Sequence, residues 1–393
     1  MNVEHYDFDV IVVGGGIHGT SVAQAVAAAG YSVLLSEKSE IGSGTSSKSS
    51  KLIHGGLRYL ESMQFSLVMS CLKERHLLLQ NAPQLVKLIP FYIPVYKKTH
   101  RRPWVIGMGL RLYNMLSGFK SPFRKLRKSE WSDLDSLSLE NLEAVFQYYD
   151  AQTNDVLLTR AVAKSAQLLG AEVLTNSTVC HCQINENACV VDINENDSIK
   201  QYRCRVVVNA TGANVNEFLK VCVPVQNILD IDLVQGAHIL LNTPSKKAVY
   251  YLEAMSDKRA VFAMPWGNKT LVGTTETKIE GDAGVPQPLA DEIEYLLGVY
   301  NDYFKSDTMS TEDVLETFAG FRVLPREQKS VFARARDTVF LLDSENNPRI
   351  LSMYGGKLTA YRATAEKALK KISVSLPTDR IAKASTERLH LTI

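Results

Sequence analysis

The sequence predicts an α/β fold in which a Rossmann-like, dinucleotide-binding part is joined to a second, antiparallel-sheet part. Three observations predict it. The first is a βαβ unit: an apolar run, Asp9 to Val13, stops at Gly14-Gly15-Gly16, an Ala-rich stretch reaches Gly30, and a second apolar run covers Tyr31 to Leu35. The second is the alternation of apolar and polar residues from Ile231 to Thr275, the pattern of half-buried antiparallel strands. The third is size: 393 residues at 45% hydrophobic and 22% charged suffice for two to three domains with ordinary cores.

The remaining elements follow in order. Residues 39 to 51, rich in Ser, Thr, Gly and Lys, mark an ordered loop or helix start. Phe65 to Leu79 reads as helix, and Pro83, Pro90 and Pro94 punctuate an extended stretch. A helix is expected around 154 to 170, then strands near 171–184, 188–194 and 202–209, the last ending in Asn209-Ala210-Thr211-Gly212. Ala290 to Phe304 has helical periodicity, and Ala319 to Arg326 reads as a turn-rich segment. Val339 to Leu342 and Ile350 to Met353 read as strands that lead into Tyr354-Gly355-Gly356-Lys357 and a final helix, Leu358 to Lys371. The last residues look like a tail. Residues 1–88, 150–226 and 318–378 are assigned to the dinucleotide-binding domain, 89–149 and 227–317 to a substrate or cap domain, and 379–393 to the tail.

Composition narrows the function. A net charge of +2 does not argue for nucleic acid, and no run of 18 apolar residues suggests a membrane-spanning helix. Met1 to Asp9 is acidic and lacks the features of a signal peptide. None of the six cysteines forms a C-x-x-C pair. Cys180-His181-Cys182 lies on a predicted strand that points the cysteines one way and the histidine the other, so no metal is expected. A reduced, cytoplasmic protein fits best.

Gly14-x-Gly16-x-x-Gly19 follows a strand and opens a helix. Gly14 permits the tight turn, Gly16 lets a pyrophosphate approach the backbone, and Gly19 lets helix and strand pack. The helix N-terminus favours the phosphate. Glu37 ends the second strand, where its carboxylate can accept hydrogen bonds from the adenosine ribose hydroxyls, and it disfavours NADP. The fingerprint alone does not choose between NAD and FAD. The hydroxyl-rich Gly42 to Lys51 can run along an extended cofactor, and Gly355-Gly356-Lys357-Leu358-Thr359 can aim backbone dipoles at the anionic edge of a reduced flavin.

At these residues the sequence resembles a known family. Thr45 to Glu61, TSSKSSKLIHGGLRYLE, closely resembles the signature of FAD-dependent glycerol-3-phosphate dehydrogenases, within the D-amino-acid-oxidase-like flavoproteins. Further matches are GGGIHG at 14–19, Arg75 to Pro83, Pro265-Trp266, Gly273-Thr274-Thr275, Gly320-Phe321-Arg322, and Gly355 to Thr359 with Tyr361-Arg362. The resemblance implies an FAD-binding domain of the glutathione-reductase/DAO type beneath an antiparallel substrate domain. It implies oxidation of sn-glycerol 3-phosphate to dihydroxyacetone phosphate, with hydride passing from C2 to flavin N5 and electrons leaving to a quinone or to oxygen. The family's Trp two residues after the NATG glycine is Asn214 here, and its Pro after Gly-x-Arg is Val323. Larger members carry a C-terminal helical domain beyond about residue 390.

Carried over position by position, the substrate groups are Arg58, Tyr59, His238, Arg322, Arg336 and Lys357. Arg322 and Arg336 are expected to anchor phosphate, since arginine offers planar two-point contacts. His238 is expected to take the hydroxyl proton. Arg58, Tyr59 and Lys357 are expected to orient the alcohol, and Arg58 and Lys357 serve the flavin equally well. The expected FAD contacts are Gly14, Gly16, Ile17, His18, Gly19, Glu37, Lys38, Thr45, Ser46, Ser47, Lys51, Leu52, His54, Gly55, Gly56, Val179, Ala210, Thr211, Gly212, Gly355, Gly356, Lys357, Leu358 and Thr359. Two other readings stay open: oxidation of another small hydroxy acid or amine, and a non-catalytic flavoprotein.

Residues 97 to 128 hold many Lys and Arg and no acid, around an apolar segment from Trp104 to Leu116. Such a segment suits docking to anionic lipid, which places the protein peripherally on the inner face of the cell membrane. The alternative is a solvated basic face over a helix packed on the core. No nucleic-acid partner is expected, and a homodimer is among the expected assemblies.

Overall fold

The computed structural model describes residues 5–280, 284–326 and 337–392. The chain runs β1 (Phe8–Val13), α1 (Ile17–Ala28), β2 (Val33–Ser36), a 3-10 turn (Thr45–Ser47), β3 (Leu52–Ile53), a second 3-10 turn (Leu57–Leu60) and α2 (Phe65–Asn81). It continues through β4 (Val86–Tyr96), α3 (Pro103–Leu116), β5 (Arg124–Lys125), β6 (Leu142–Thr153), α4 (Asp155–Leu168), β7 (Glu172–Leu174), β8 (Ser177–Ile184), β9 (Cys189–Glu195) and β10 (Ser198–Asn209). Then come α5 (Val215–Lys220), β11 (Cys222–Val223), β12 (Ile231–Pro244), β13 (Val249–Glu253), β14 (Ala260–Trp266), β15 (Lys269–Gly273), β16 (Thr277–Ile279) and α6 (Ala290–Tyr303). The last elements are β17 (Val314–Pro325), β18 (Val339–Leu342), β19 (Ile350–Tyr354) and α7 (Tyr361–Ile372).

Among the described residues the strands form two sheets, of nine and ten strands. In the first, β7, β2, β1, β10 and β19 run parallel, and β18 closes the edge in the antiparallel sense. The long β10 serves twice: its first half pairs antiparallel with β9, and its second half lies between β1 and β19. Strand β1 is buried along its whole length, which explains its unbroken apolar run. Helix α1 packs against α4 and α7, and its Ala-rich sequence allows this because almost all of it is buried.

The second sheet has the order β16-β12-β15-β14-β13-β4-β6-β3, with β17 beside β12 and β5 beside β6. Apart from the parallel β13–β4 pair its ladders are antiparallel. The segment expected to be turn-rich, Ala319 to Arg326, is instead mostly strand. Strand β17 pairs with β12 from Ile231↔Pro325 to Leu241↔Val314, and Gly320 sits there because a side chain would strike the Lys48 Cβ at 2.7 Å. The final helix begins at Tyr361, three residues later than expected, because the glycine turn extends through Thr359, whose hydroxyl accepts the His54 N–H. The C-terminal segment is laid along the first layer. Lys383 N–H donates to the Ala28 carbonyl, Leu391 N–H donates to the Asn81 carbonyl, and Gly30 leaves room for the Ile381 carbonyl, 2.3 Å from where a Cβ would lie.

Candidate active site

The glycine fingerprint stands at the carboxyl ends of β1 and β10, the crevice where open α/β sheets bind ligands. Gly14 has φ +106°, and a Cβ there would lie 2.6 Å from the Ala210 carbonyl oxygen. A Cβ on Gly19 would lie 1.8 Å from the Gly14 oxygen, so the turn and α1 close up only with glycine at both. Glu37 Oε2 accepts the Gly15 N–H at 2.5 Å and Oε1 accepts the Ser39 N–H at 2.9 Å, which aims the carboxylate across the turn. Ser177 N–H donates to the Glu37 carbonyl, bringing the start of β8, with the buried Val179, beside it; Lys38 is exposed. Ala210 N–H donates to the Val13 carbonyl, and Thr211 and Gly212 follow directly.

The hydroxyl-rich segment is held by several contacts within the chain. Ser46 Oγ accepts the Ile17 N–H at 2.8 Å, so a neutral oxygen stands at the α1 N-terminus where an anion would be favoured. Ser47 bonds the Ser43 and Gly44 carbonyls, and Thr45 bonds the Phe321 carbonyl. The Lys51 ammonium is engaged in a buried ion pair, 2.8 Å from each Asp155 carboxylate oxygen, and Ser49 also donates to Asp155. Lys51 therefore holds the loop to α4.

The 52–60 segment carries the next group. Leu52 is buried in β3. Gly56 N–H donates to His54 Nδ1, and Gly55 N–H donates to the buried Tyr113 hydroxyl at 2.8 Å. Burial lowers the His54 pKa, and Lys357 and Arg58 add to this. The second glycine turn faces α1: a Cβ on Gly356, at φ +122°, would lie 2.1 Å from His18 Nε2. Leu358 packs against the neighbouring apolar cluster. Burial pushes the His18 pKa down to about 4.

His238 lies on β12, fully buried, stacked on Phe318 at 4.9 Å with Nε2 2.9 Å from the Ser50 hydroxyl. Burial first, then Arg322 and Lys51, push its pKa down to about 3, so the ring is neutral. Lys357 Nζ sits 4.2 Å from the centroid of the Tyr59 ring. Among the described residues, Lys357 Nζ, His18 Nδ1 and His238 Nδ1 are buried without a hydrogen-bond partner. Unpaired buried polar atoms are rare, and of these His18 and Lys357 flank the Gly355-Gly356 turn, where a Cβ on Gly356 would fill the space beside His18. These residues fit an extended dinucleotide with a ring system.

Arg322, on β17, donates to Glu276 Oε1 at 2.7 Å, and Arg58 Nη2 lies 3.7 Å from the same oxygen. Arg58 and Arg322 are thus brought together. Arg336 lies outside the described residues. Glu276 and Ser50 were not anticipated. Glu276 directly follows the matched Gly273-Thr274-Thr275, which was the available signal, but an acid among expected phosphate ligands runs against the chemistry sought there.

Comparison with known proteins fits this geometry. The family model described as FAD dependent oxidoreductase, DAO, matches residues 9–362. The chain is 36% identical over 371 residues to the aerobic glycerol-3-phosphate dehydrogenase of Escherichia coli, covering 93% of this chain and 73% of that one. It is 35% identical over 378 residues to the D-erythritol 1-phosphate dehydrogenase of Brucella abortus, covering 94% and 74%. The structure of the glycerol-3-phosphate dehydrogenase from Bacillus halodurans complexed with FAD superposes with a TM-score of 0.77 at 25% identity, covering 98% of this chain and 67% of that one. The chain belongs to the DAO family and is an FAD-dependent oxidoreductase.

Proposed function

We propose that the protein oxidises sn-glycerol 3-phosphate to dihydroxyacetone phosphate and that its electrons pass to a quinone. The observation that carries this reading is the meeting of Arg58 and Arg322 at one carboxylate, 3.7 and 2.7 Å away, in a chain that also buries the Lys357 ammonium and a neutral His238. A phosphoryl dianion needs clustered cations of this kind. The names of the Escherichia coli and Brucella abortus relatives support a phosphorylated polyol.

In this reading the first sheet and its helices bind FAD, and the second sheet forms the substrate side. Bound FAD supplies the two-electron acceptor for the hydride lost from C2. Arg322 and Arg58 grip the phosphoryl group, and Arg336 is kept as a second anchor. Lys357, with an unsatisfied ammonium over Tyr59, donates to a substrate oxygen. His238 accepts the hydroxyl proton. Its basicity is held down partly by Arg322, and a dianion seated on Arg322 offsets that cause. The glycine cradle, Glu37 and the 355–359 turn hold the cofactor.

The surface supports a peripheral membrane site. Helix α3 buries Ile106, Leu110 and Tyr113 and turns Trp104, Met108 and Met115 outward, beside the exposed Arg102 and Arg111. An apolar outer stripe with basic neighbours suits the interface of an anionic bilayer. No helix among the described residues is long and apolar enough to cross a membrane.

The test of the reading is dye-linked turnover with glycerol 3-phosphate. Arg322→Ala should raise KM at least about tenfold while FAD stays bound, as expected for loss of a charge-assisted contact. Unchanged kinetics would remove Arg322 from the anchor role.

A further inference from the structure

We propose that Glu276 is a positioning residue that sets the guanidinium groups of the substrate site, an inference that rests on the phosphoryl-binding role proposed above. Its side chain is only 5% exposed, yet it is an acid in a place where an anion is to be bound. Three arginines from separate segments converge on it. Arg322 on β17 donates to Oε1 at 2.7 Å, Arg58 from the 3-10 turn after β3 lies 3.7 Å from Oε1, and Arg259 before β14 lies 3.9 Å from Oε2. Arg259 also donates to the Glu276 backbone carbonyl at 3.3 Å, and its Nε donates to Asp257 at 2.7 Å.

The electrostatics give the carboxylate a function. Three cations sharing a partly desolvated space repel one another, and the repulsion grows as the local dielectric falls. One buried carboxylate among them reduces that repulsion, and with Asp257 paired to Arg259 the named side chains still carry net positive charge. A guanidinium carries five N–H donors in a fixed fork, so Arg58 and Arg322 can contact Glu276 and still present donors to an incoming dianion. Placement is reinforced from the other side. A Cβ on Gly236 would lie 2.7 Å from the Thr274 hydroxyl and 3.3 Å from Arg322 Nη2, so the glycine of the Gln235-Gly236-Ala237-His238 run leaves room for both. Arg259, which faces Asp257 and Tyr295 as well, steadies the acid from behind. Pre-set donors lower the ordering cost of binding, so Glu276 acts on affinity more than on the chemical step.

The experiment titrates inorganic phosphate into the FAD-loaded full chain, followed by the flavin spectrum and by competition with glycerol 3-phosphate. Wild type, Glu276→Gln and Glu276→Asp are compared. Glu276→Gln should weaken phosphate binding and raise KM about tenfold, with kcat changed by less than about threefold. Glu276→Asp retains the charge but draws it back by one methylene, and should weaken both about threefold. Unchanged phosphate affinity and KM in Glu276→Gln, even with a lower melting temperature, would overturn the proposal. Tighter phosphate binding would also overturn it, since the acid would then be a competitor of the ligand. Should Glu276→Gln not load with FAD, a wild-type phosphate affinity in Glu276→Asp would overturn it alone. Failure of wild type to be reduced by glycerol 3-phosphate counts against the substrate, whereas the phosphate titration still decides the role of Glu276.

Discussion

The hydroxyl of Tyr113 accepts the Gly55 N–H at 2.8 Å and donates to Asp150 at 2.8 Å. Asp150 is also paired with the buried Arg75, whose guanidinium continues to Ser121. One phenol thus ties the inner face of α3 to the loop that carries Arg58 and Tyr59. The packing is close: a Cβ on Gly55 would meet the Tyr113 oxygen at 2.4 Å. The segment with an apolar outer stripe and the segment with the substrate residues are joined through a buried polar network.

Tyr113→Phe should therefore cost stability and activity together. It leaves the Gly55 N–H without its acceptor and removes a donor from Asp150, a loss of about 1–3 kcal/mol for an unsatisfied buried group. Chemical denaturation measures the first effect. KM for the substrate, which should rise as the 55–59 loop loosens, measures the second.

The outer stripe of α3 makes a separate prediction. In vesicle flotation, wild type should be recovered with anionic lipid more than with neutral lipid, and added salt should reduce the difference. Trp104→Ser combined with Met108→Ser should lower recovery without loss of bound FAD. Equal recovery with both lipids would rule out this docking mode.

The pH dependence of stability follows from His18 and His238. Burial holds their pKa values at about 4 and about 3, below the ordinary 6.5 they regain on unfolding. Between those values the unfolded chain binds more protons, so this contribution to stability is complete above about pH 6.5 and falls progressively as the medium is acidified. It levels off once pH drops below the folded-state values. Melting temperatures from pH 7.5 down to 5 should fall for wild type, and His238→Gln should show a shallower decline. A parallel decline would contradict the assignment for His238.

Much of the first sheet was legible because local chemistry dictates it. The glycines at 14 and 19 stand where a side chain would strike backbone, and Glu37 falls where β2 ends. Strand β17 was not legible, because its glycine reads as a turn until the Lys48 side chain that occupies the space is known. Lys51 was expected at the cofactor by the family resemblance. Its ion-pair partner, Asp155, is 104 residues away and appears only once α4 is placed. Glu276 was missed for a related reason. Sequence shows which cations a phosphate would want, but the acid that keeps those cations together is visible only when β15, β17 and the 58–59 turn are assembled.

Hydride transfer from a phosphorylated three-carbon alcohol to this flavoprotein is read from the absorbance of the purified yellow protein, followed without oxygen. Glycerol 3-phosphate should bleach the flavin band, whereas glycerol, D-alanine and sarcosine should leave it coloured. A band untouched by glycerol 3-phosphate, or one bleached by an amino acid instead, would exclude glycerol 3-phosphate as the hydride donor.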